Sequence, residues 1–212
     1  MKLTKYGHAC VFVENNSSRI VIDPGSLTEL PEVLSNVVAV VCTHIHGDHT
    51  DLANIEKILA QSPHALVIAH PESLKTLDSV TCEKKPITST EKITIGEFTL
   101  NLKVIDHAII WKTSPCKNLT VAINDFYYYA GDSFELSDEQ FEVVGIPLSA
   151  PWLKVADAIE FARAMNARRV MPTHNGLLNK IGHEFNENWL RIGLEDKSTE
   201  ILLLKIGESF ST

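Results

Sequence analysis

The sequence predicts an α/β fold in which two sheet-plus-helix layers stack face to face. Two observations carry this expectation. Val37–Cys42 and Ala65–Ala69 are short continuous apolar runs, the mark of strands buried on both faces, and they flank an amphipathic helix over Asp51–Ala60. A strand, helix, strand order needs a crossover, so part of the sheet should be parallel. The second half of the chain then repeats the element order of the first, with a series of strands followed by a helix and another short buried strand.

Taken in order, Lys2–Tyr6, Cys10–Glu14 and Arg19–Asp23 read as strands, the last two joined by the polar turn Asn15–Ser18 in a hairpin. In the helix over Asp51–Ala60, Leu52, Ile55, Ile58 and Leu59 fall on one stripe. Ile93–Ile95, Phe98–Ile105, Leu119–Ile123 and Phe126–Ala130 read as strands, with Asn124-Asp125 a tight-turn signal between the last pair. Val155–Asn166 is an amphipathic helix with Val155, Ile159, Ala162 and Met165 at helical spacing, and Arg169–Met171 is a short buried strand after it. The tail offers a helix near Glu184–Leu190 and a last strand at Ile201–Lys205. No low-complexity linker interrupts the chain, and 212 residues are enough for a full core, so residues 1–212 are read as one domain.

Composition narrows the partners. A formal net charge of -8 argues against nucleic acid or an anionic membrane, because both are bound by clustered Lys and Arg, and the runs Lys84-Lys85 and Arg168-Arg169 are only two residues long. No segment approaches the roughly 18 uninterrupted apolar residues of a membrane span. The N-terminus moves straight into strand-like alternation without an apolar leader, so a cytoplasmic location is expected. The four cysteines, Cys10, Cys42, Cys82 and Cys116, form no C-x-x-C pair and suit reduced thiols; Cys42 reads as a buried strand residue rather than a ligand. A small-molecule substrate is expected, and a homo-oligomer is compatible with the sequence.

Chemistry concentrates in Thr43-His44-Ile45-His46-Gly47-Asp48-His49, directly after an apolar strand. Successive strand side chains point to opposite faces, so His44 and His46 lie on the same face at the strand's end while Ile45 faces away into the core, and one metal could take both. Gly47 lets the chain turn, and Asp48 and His49 arrive from a new direction. Two ligand pairs on either side of a turn suit two adjacent ions better than one. The helical H-E-x-x-H protease pattern is absent. Three further candidates stand at strand exits: His107 after Val104-Ile105-Asp106, Asp132 after Gly131, and His174 after Val170-Met171-Pro172-Thr173. Ligands at the ends of neighbouring strands can converge at one sheet edge. His64 and His183 read as solvated surface residues, and His70 as a residue at a strand end that could face the cleft.

Thr43-His44-x-His46-x-Asp48-His49, then His107, Gly131-Asp132 and His174, in that order and with the early Ile22-Asp23-Pro24-Gly25, resembles the metallo-β-lactamase superfamily of metal-dependent hydrolases. Gly7-His8-Ala9-Cys10, Ile146-Pro147-Leu148 and Pro172-Thr173-His174-Asn175 are most similar to its small single-domain branch of ascorbate-6-phosphate lactonase-like and uncharacterised hydrolases. The resemblance implies a four-layer αββα sandwich of two mixed β-sheets with outer helices. It also implies one metal on His44, His46 and His107, a second on Asp48, His49 and His174, and Asp132 bridging them. Asp23 would orient a ligand histidine rather than coordinate.

Nitrogen and carboxylate ligands without thiolate suit two divalent ions, zinc foremost, with manganese, iron or nickel also fitting. A hydroxide bridging the metals would cleave a small ester, lactone or phosphoester, with Asp48 the protein group to pass a proton to the leaving group. Substrate contacts are expected from His8, which the resemblance places near the metals, and from an aromatic wall of Trp111 and Trp152, with Lys112, Lys117 and Lys180 as candidate cations. Two other readings keep the metal: a mononuclear iron enzyme resembling persulfide dioxygenases, and a metal-binding regulatory protein with little turnover.

Overall fold

The computed structural model describes residues 1–212. In chain order its first half runs β1 (Lys2–Lys5), β2 (Val11–Asn15), β3 (Ser18–Ile22), β4 (Val37–Cys42), α1 (Leu52–Gln61), β5 (Leu66–Ala69), α2 (Pro71–Lys75) and β6 (Lys84–Pro86). The rest comprises β7 (Glu91–Ile95), β8 (Phe98–Asp106), β9 (Lys117–Ile123), β10 (Tyr127–Tyr129), β11 (Val143–Pro147), α3 (Val155–Met165), β12 (Arg169–Thr173), α4 (Lys180–Gly193), β13 (Glu200–Ile201) and β14 (Ser209–Ser211).

These strands form two seven-stranded sheets, ordered β14-β1-β2-β3-β4-β5-β6 and β13-β12-β11-β10-β9-β8-β7. Each is antiparallel at one end and parallel at the other. The switch falls at β3 in the first sheet and at β10 in the second. Side-chain alternation along the strands explains why they stack. Val11 and Val13 of β2, Ala39 and Val41 of β4, and Tyr127 and Tyr129 of β10 point into a 22-residue core between the sheets. Their neighbours Phe12, Val40 and Cys42 instead face α1 in a 16-residue outer core, and Tyr128 faces α3 and α4 in one of 15 residues. Four layers result, helix on sheet on sheet on helix, as the resemblance implies. Cys42 lies in the outer core with its thiol pushed up to about 12 by burial, as its strand reading requires.

Several boundaries differ from the sequence expectation. Asp51 is not the first helical residue but the cap of α1, its carboxylate accepting from Asn54 N at 2.9 Å. Strands β6 and β11 were not predicted. The first is a charged edge strand ending in proline, a composition that suits edges but hides the strand. In β11, Gly145 breaks the apolar pattern because the Tyr127 hydroxyl would lie only 2.5 Å from a Cβ there. Helix α4 begins at Lys180, four residues before the expected Glu184, with Asn179 capping Gly182 N at 2.9 Å. The strand expected over Ile201–Lys205 keeps only its first residue in β13. After the Leu202 N–H reaches Val170 O the chain leaves this sheet, and β14 pairs with β1 instead.

A candidate metal centre at the sheet edges

The ligand candidates stand on loops at one edge of the sandwich. Strand β4 ends at Cys42, two residues before His44, so the shared-face argument for His44 and His46 does not describe the structure. His44 instead forms an isolated bridge with Asn118, and His46 lies in a tight turn whose carbonyl accepts from the N–H groups of His49 and Thr50. The two rings still approach to 4.8 Å between centroids, and each lies 4.7 Å from the ring of His107. Gly25 presses the 23–25 segment against this turn: a Cβ there would sit 1.8 Å from Asp48 O. Only glycine permits that approach.

All seven predicted residues come together. The ligating atoms of His44, His46 and His107 lie within 4.8 Å of one another, and so do those of Asp48, His49, His174 and His8. Asp132 stands between the groups. Its Oδ2 is 3.3 Å from His107 Nε2 and 3.1 Å from His174 Nε2, and its Oδ1 is 3.3 Å from His49 Nε2. Asp48 Oδ2 lies 3.6 Å from His174 Nε2 and 3.9 Å from His49 Nε2. The Nε2 atoms of His44, His49, His107 and His174 and Oδ1 of Asp132 are buried without a hydrogen-bond partner. Unpaired acceptors are costly in an apolar interior, and their convergence on one point fits a bound cation.

The opposite ring nitrogens show which way the imidazoles face. His107 Nδ1 donates to Ala108 O at 2.5 Å and His174 Nδ1 to Ser149 O at 2.6 Å, since a carbonyl can only accept. His49 Nδ1 donates to Asp23 Oδ2 at 2.6 Å. Thr43 Oγ1 gives its single proton to the same Oδ2 at 2.7 Å, so the His44 Nδ1 contact to Thr43 Oγ1 at 3.0 Å must run from ring to hydroxyl. In its neutral form each of these four rings therefore carries its proton on Nδ1 and leaves Nε2 a free lone pair, the form in which a cation is bound. Asp23, fully buried, orients His49 directly and His44 through Thr43. The resemblance implied one such histidine; the structure adds the other.

His8 has the reverse arrangement. Its Nδ1 accepts the Gly176 N–H at 2.9 Å, so the neutral ring carries its proton on Nε2, 3.4 Å from Asp48 Oδ2. His8 thus presents a donor to the centre where the other four present acceptors. Electrostatics match a cation site. Burial alone would lower His49, but the carboxylates of Asp132 and Asp23 override it and lift the imidazole well above its ordinary value. Burial would raise Asp132, yet His49, His107 and His174 hold it well below the carboxylate range. Asp23 and His174 both occupy left-handed backbone, at φ of 47° and 50°, a local cost that is concentrated at functional sites.

Of the two tryptophans, the structure brings in one. Trp152 Nε1 donates to Asp132 Oδ2 at 3.0 Å and its ring meets His107 edge-on. Trp111 is 80% exposed, with Lys112 Nζ 5.0 Å from its ring centroid, and does not pack on the cluster; it has no part in an aromatic wall. His70 caps α2 by accepting from Glu72 N, and the Lys117 ammonium pairs with Asp106. Sequence reasoning missed Asn118. Its Nδ2 donates to Ala130 O at 2.9 Å and its Oδ1 accepts from Asp132 N at 3.1 Å, which ties the Asp132 loop to the bridge at His44. A lone asparagine early in a strand gives no signal of such a role.

The chain is similar to known proteins. A family model described as a beta-lactamase superfamily domain matches residues 2–174. Protein Rv0786c of Mycobacterium tuberculosis is 27% identical over 184 residues, covering 84% of this chain and 85% of that protein. A UPF0173 metal-dependent hydrolase of Bacillus cereus is 29% identical over 197 residues, covering 82% and 85%. Among solved structures, the metallo-beta-lactamase fold protein YhfI of Bacillus subtilis superposes with a TM-score of 0.75 at 14% identity, covering 99% of each chain, a likeness of fold. With the family model spanning most of its length and the histidine and aspartate cluster at the sheet edges, the chain belongs to the metallo-β-lactamase superfamily of metal-dependent hydrolases.

Proposed function

We propose that this hydrolase cleaves a small ester, lactone or phosphoester at a centre of two divalent ions, zinc foremost. One observation carries the reading: the unpaired acceptors of His44, His49, His107, His174 and Asp132 are buried and converge. In this reading His44, His46 and His107 hold one ion, Asp48, His49 and His174 hold the other, and Asp132 lies between. Bound by these residues, divalent ions would supply hydroxide from water at neutral pH and polarise a scissile bond. The chain does the rest. Asp23 and the carbonyls of Ala108 and Ser149 keep the imidazoles turned to present Nε2. Trp152 fixes one oxygen of Asp132. Burial would raise the half-buried Asp48, but His8, His49 and His174 hold it well below the usual carboxylate range, so in this reading it takes a proton from water and passes it on to a leaving group, with His8 Nε2 3.4 Å away.

The test is elemental analysis of protein purified without chelator, alongside hydrolysis of a panel of lactones and esters of carboxylic and phosphoric acids. About two ions per chain with turnover is the expected result. His44→Ala and Asp132→Ala should abolish turnover while the fold survives, and full turnover in either variant overturns the reading. One iron per chain, no hydrolysis and oxygen uptake with a persulfide would establish the dioxygenase-like alternative instead; metabolite binding without turnover would establish the regulatory one.

A further inference from the structure

A cavity of about 870 Å³ lies beside the metal centre, and none of the seven candidate ligands lines it. It is enclosed by the end of β1, the 26–29 loop, the segment after β12, the first turns of α4 and residues 203–206. His8 is the shared wall: its ring lines the cavity while Nε2 faces Asp48. In the lining, the Ser26 N–H donates to Gly47 O at 2.8 Å, so one wall of the cavity is tied to the turn that carries Asp48. This volume is in the range of small-molecule sites, roughly 300–1,000 Å³.

Lys5 is the unexpected feature of the lining. It is 6% exposed, and its Nζ donates to Pro172 O and Asn175 Oδ1, both at 2.8 Å. Both acceptors are neutral, an ammonium has a third N–H, and no carboxylate pairs with it. Burial pulls its pKa down to about 8 against the opposing field of Glu187, so the group is still cationic at neutral pH. Glu187 acts on this ammonium only without direct contact, so much of the cost of burying it stays, and a bound anion relieves that cost. Of the other charged groups in the lining, Lys180 and Lys205 add positive charge, while Glu29 and Glu187 oppose it. Leu27, Leu203 and Ile206 line the same cavity yet are 39%, 36% and 48% exposed, an open apolar surface beside a buried cation. His183, expected to be a plain surface residue, therefore belongs to this lining.

We propose that this cavity binds an organic carboxylate with an apolar body, its oxygens on Lys5 and its hydrocarbon on the leucine and isoleucine wall. As the non-reacting end of a substrate whose scissile bond lies at the metal centre, this ligand sets specificity; that half of the proposal rests on the hydrolase reading. The binding half does not, and is tested on the full chain stripped of metal. Calorimetric titration with hexanoate should show one site, with hexan-1-ol at least tenfold weaker. Lys5→Met should erase that discrimination. Leu203→Glu, on the exposed wall, should weaken hexanoate at least tenfold by repulsion, and serves if the Lys5 variant fails to fold. Equal binding of hexanoate and hexan-1-ol, or wild-type hexanoate affinity in either folded variant, overturns the proposal. In the metal-loaded enzyme, Lys5→Met should raise KM for carboxylate-bearing esters at least tenfold with kcat and metal content kept. Hexanoate binding without any ester turnover would refute the hydrolase reading and leave the anion site standing; turnover without hexanoate binding would do the reverse.

Discussion

Replacing Asp23 by asparagine changes one oxygen to an amide nitrogen and should disable ligands on both sides of the centre. Asp23 accepts three hydrogen bonds, from Thr43 N at 2.7 Å, Thr43 Oγ1 at 2.7 Å and His49 Nδ1 at 2.6 Å. The backbone N–H cannot reverse, so the remaining oxygen of the asparagine must face it and the new NH2 must face the hydroxyl and the imidazole. The amide then donates to His49 Nδ1, which drives the His49 proton onto Nε2. Thr43 Oγ1 turns round and donates to His44 Nδ1, which does the same there. Both rings lose the lone pair aimed at the centre. Loss of an orienting partner typically costs 10–100-fold in metal affinity, so a drop on the order of 100-fold is expected when two ligands are affected. Asp23→Ala differs: three buried donors lose their acceptor at about 1–3 kcal/mol each, so it should lower stability on the order of 5 kcal/mol. Competition with a chromophoric chelator reads the affinity, and urea unfolding of the metal-free protein reads the stability. An Asp23→Asn variant that binds zinc as tightly as wild type would refute the proton assignment for the four imidazoles.

Trp152→Phe keeps the ring packing on Phe134 but removes the donor to Asp132, and should lower turnover about tenfold while unfolding free energy changes by less than about 1 kcal/mol; steady-state kinetics with a urea melt would show an intact rate if the contact is incidental. Gly25→Ala forces a methyl into the Asp48 carbonyl and should destabilise the protein by on the order of 3 kcal/mol, a loss that an unchanged urea midpoint would contradict. Lys5 gives a pH signature. Its folded value of about 8 lies below the ordinary 10.5, so the unfolded chain binds more protons in that interval and stability should rise from pH 8 to 10.5 by about 3 kcal/mol. Lys5→Met lacks this rise; parallel stability curves for the two proteins across the window would count against it.

Strand β4 and the ligand candidates were legible because each rests on a local signal. Val37–Cys42 is apolar whichever neighbour it pairs with, and the triplet of histidines with Asp48 is too polar for the mouth of a buried strand unless something binds there. Strand β11 was not legible, because Gly145 makes sense only once Tyr127 is known to fill the space beside it. Residues such as Asn118 and Lys5 carry no pattern at all, since their partners are remote in sequence: Lys5 meets Pro172 and Asn175 only when β1 and the end of β12 are brought together.

By itself, then, the sequence determined most element types and the two stacked sheet-and-helix layers, and it marked the histidines and aspartates that the fold brings together; these rest on side-chain chemistry, spacing and the order of the motifs. Tertiary structure decided which nitrogen of each imidazole faces the centre, that Trp152 joins it and Trp111 does not, and that a buried lysine lines a cavity beside it. The reason is physical: a proton's position on a ring and the cost of a buried charge are set by what lies within about 3 Å, and those neighbours come from distant parts of the chain.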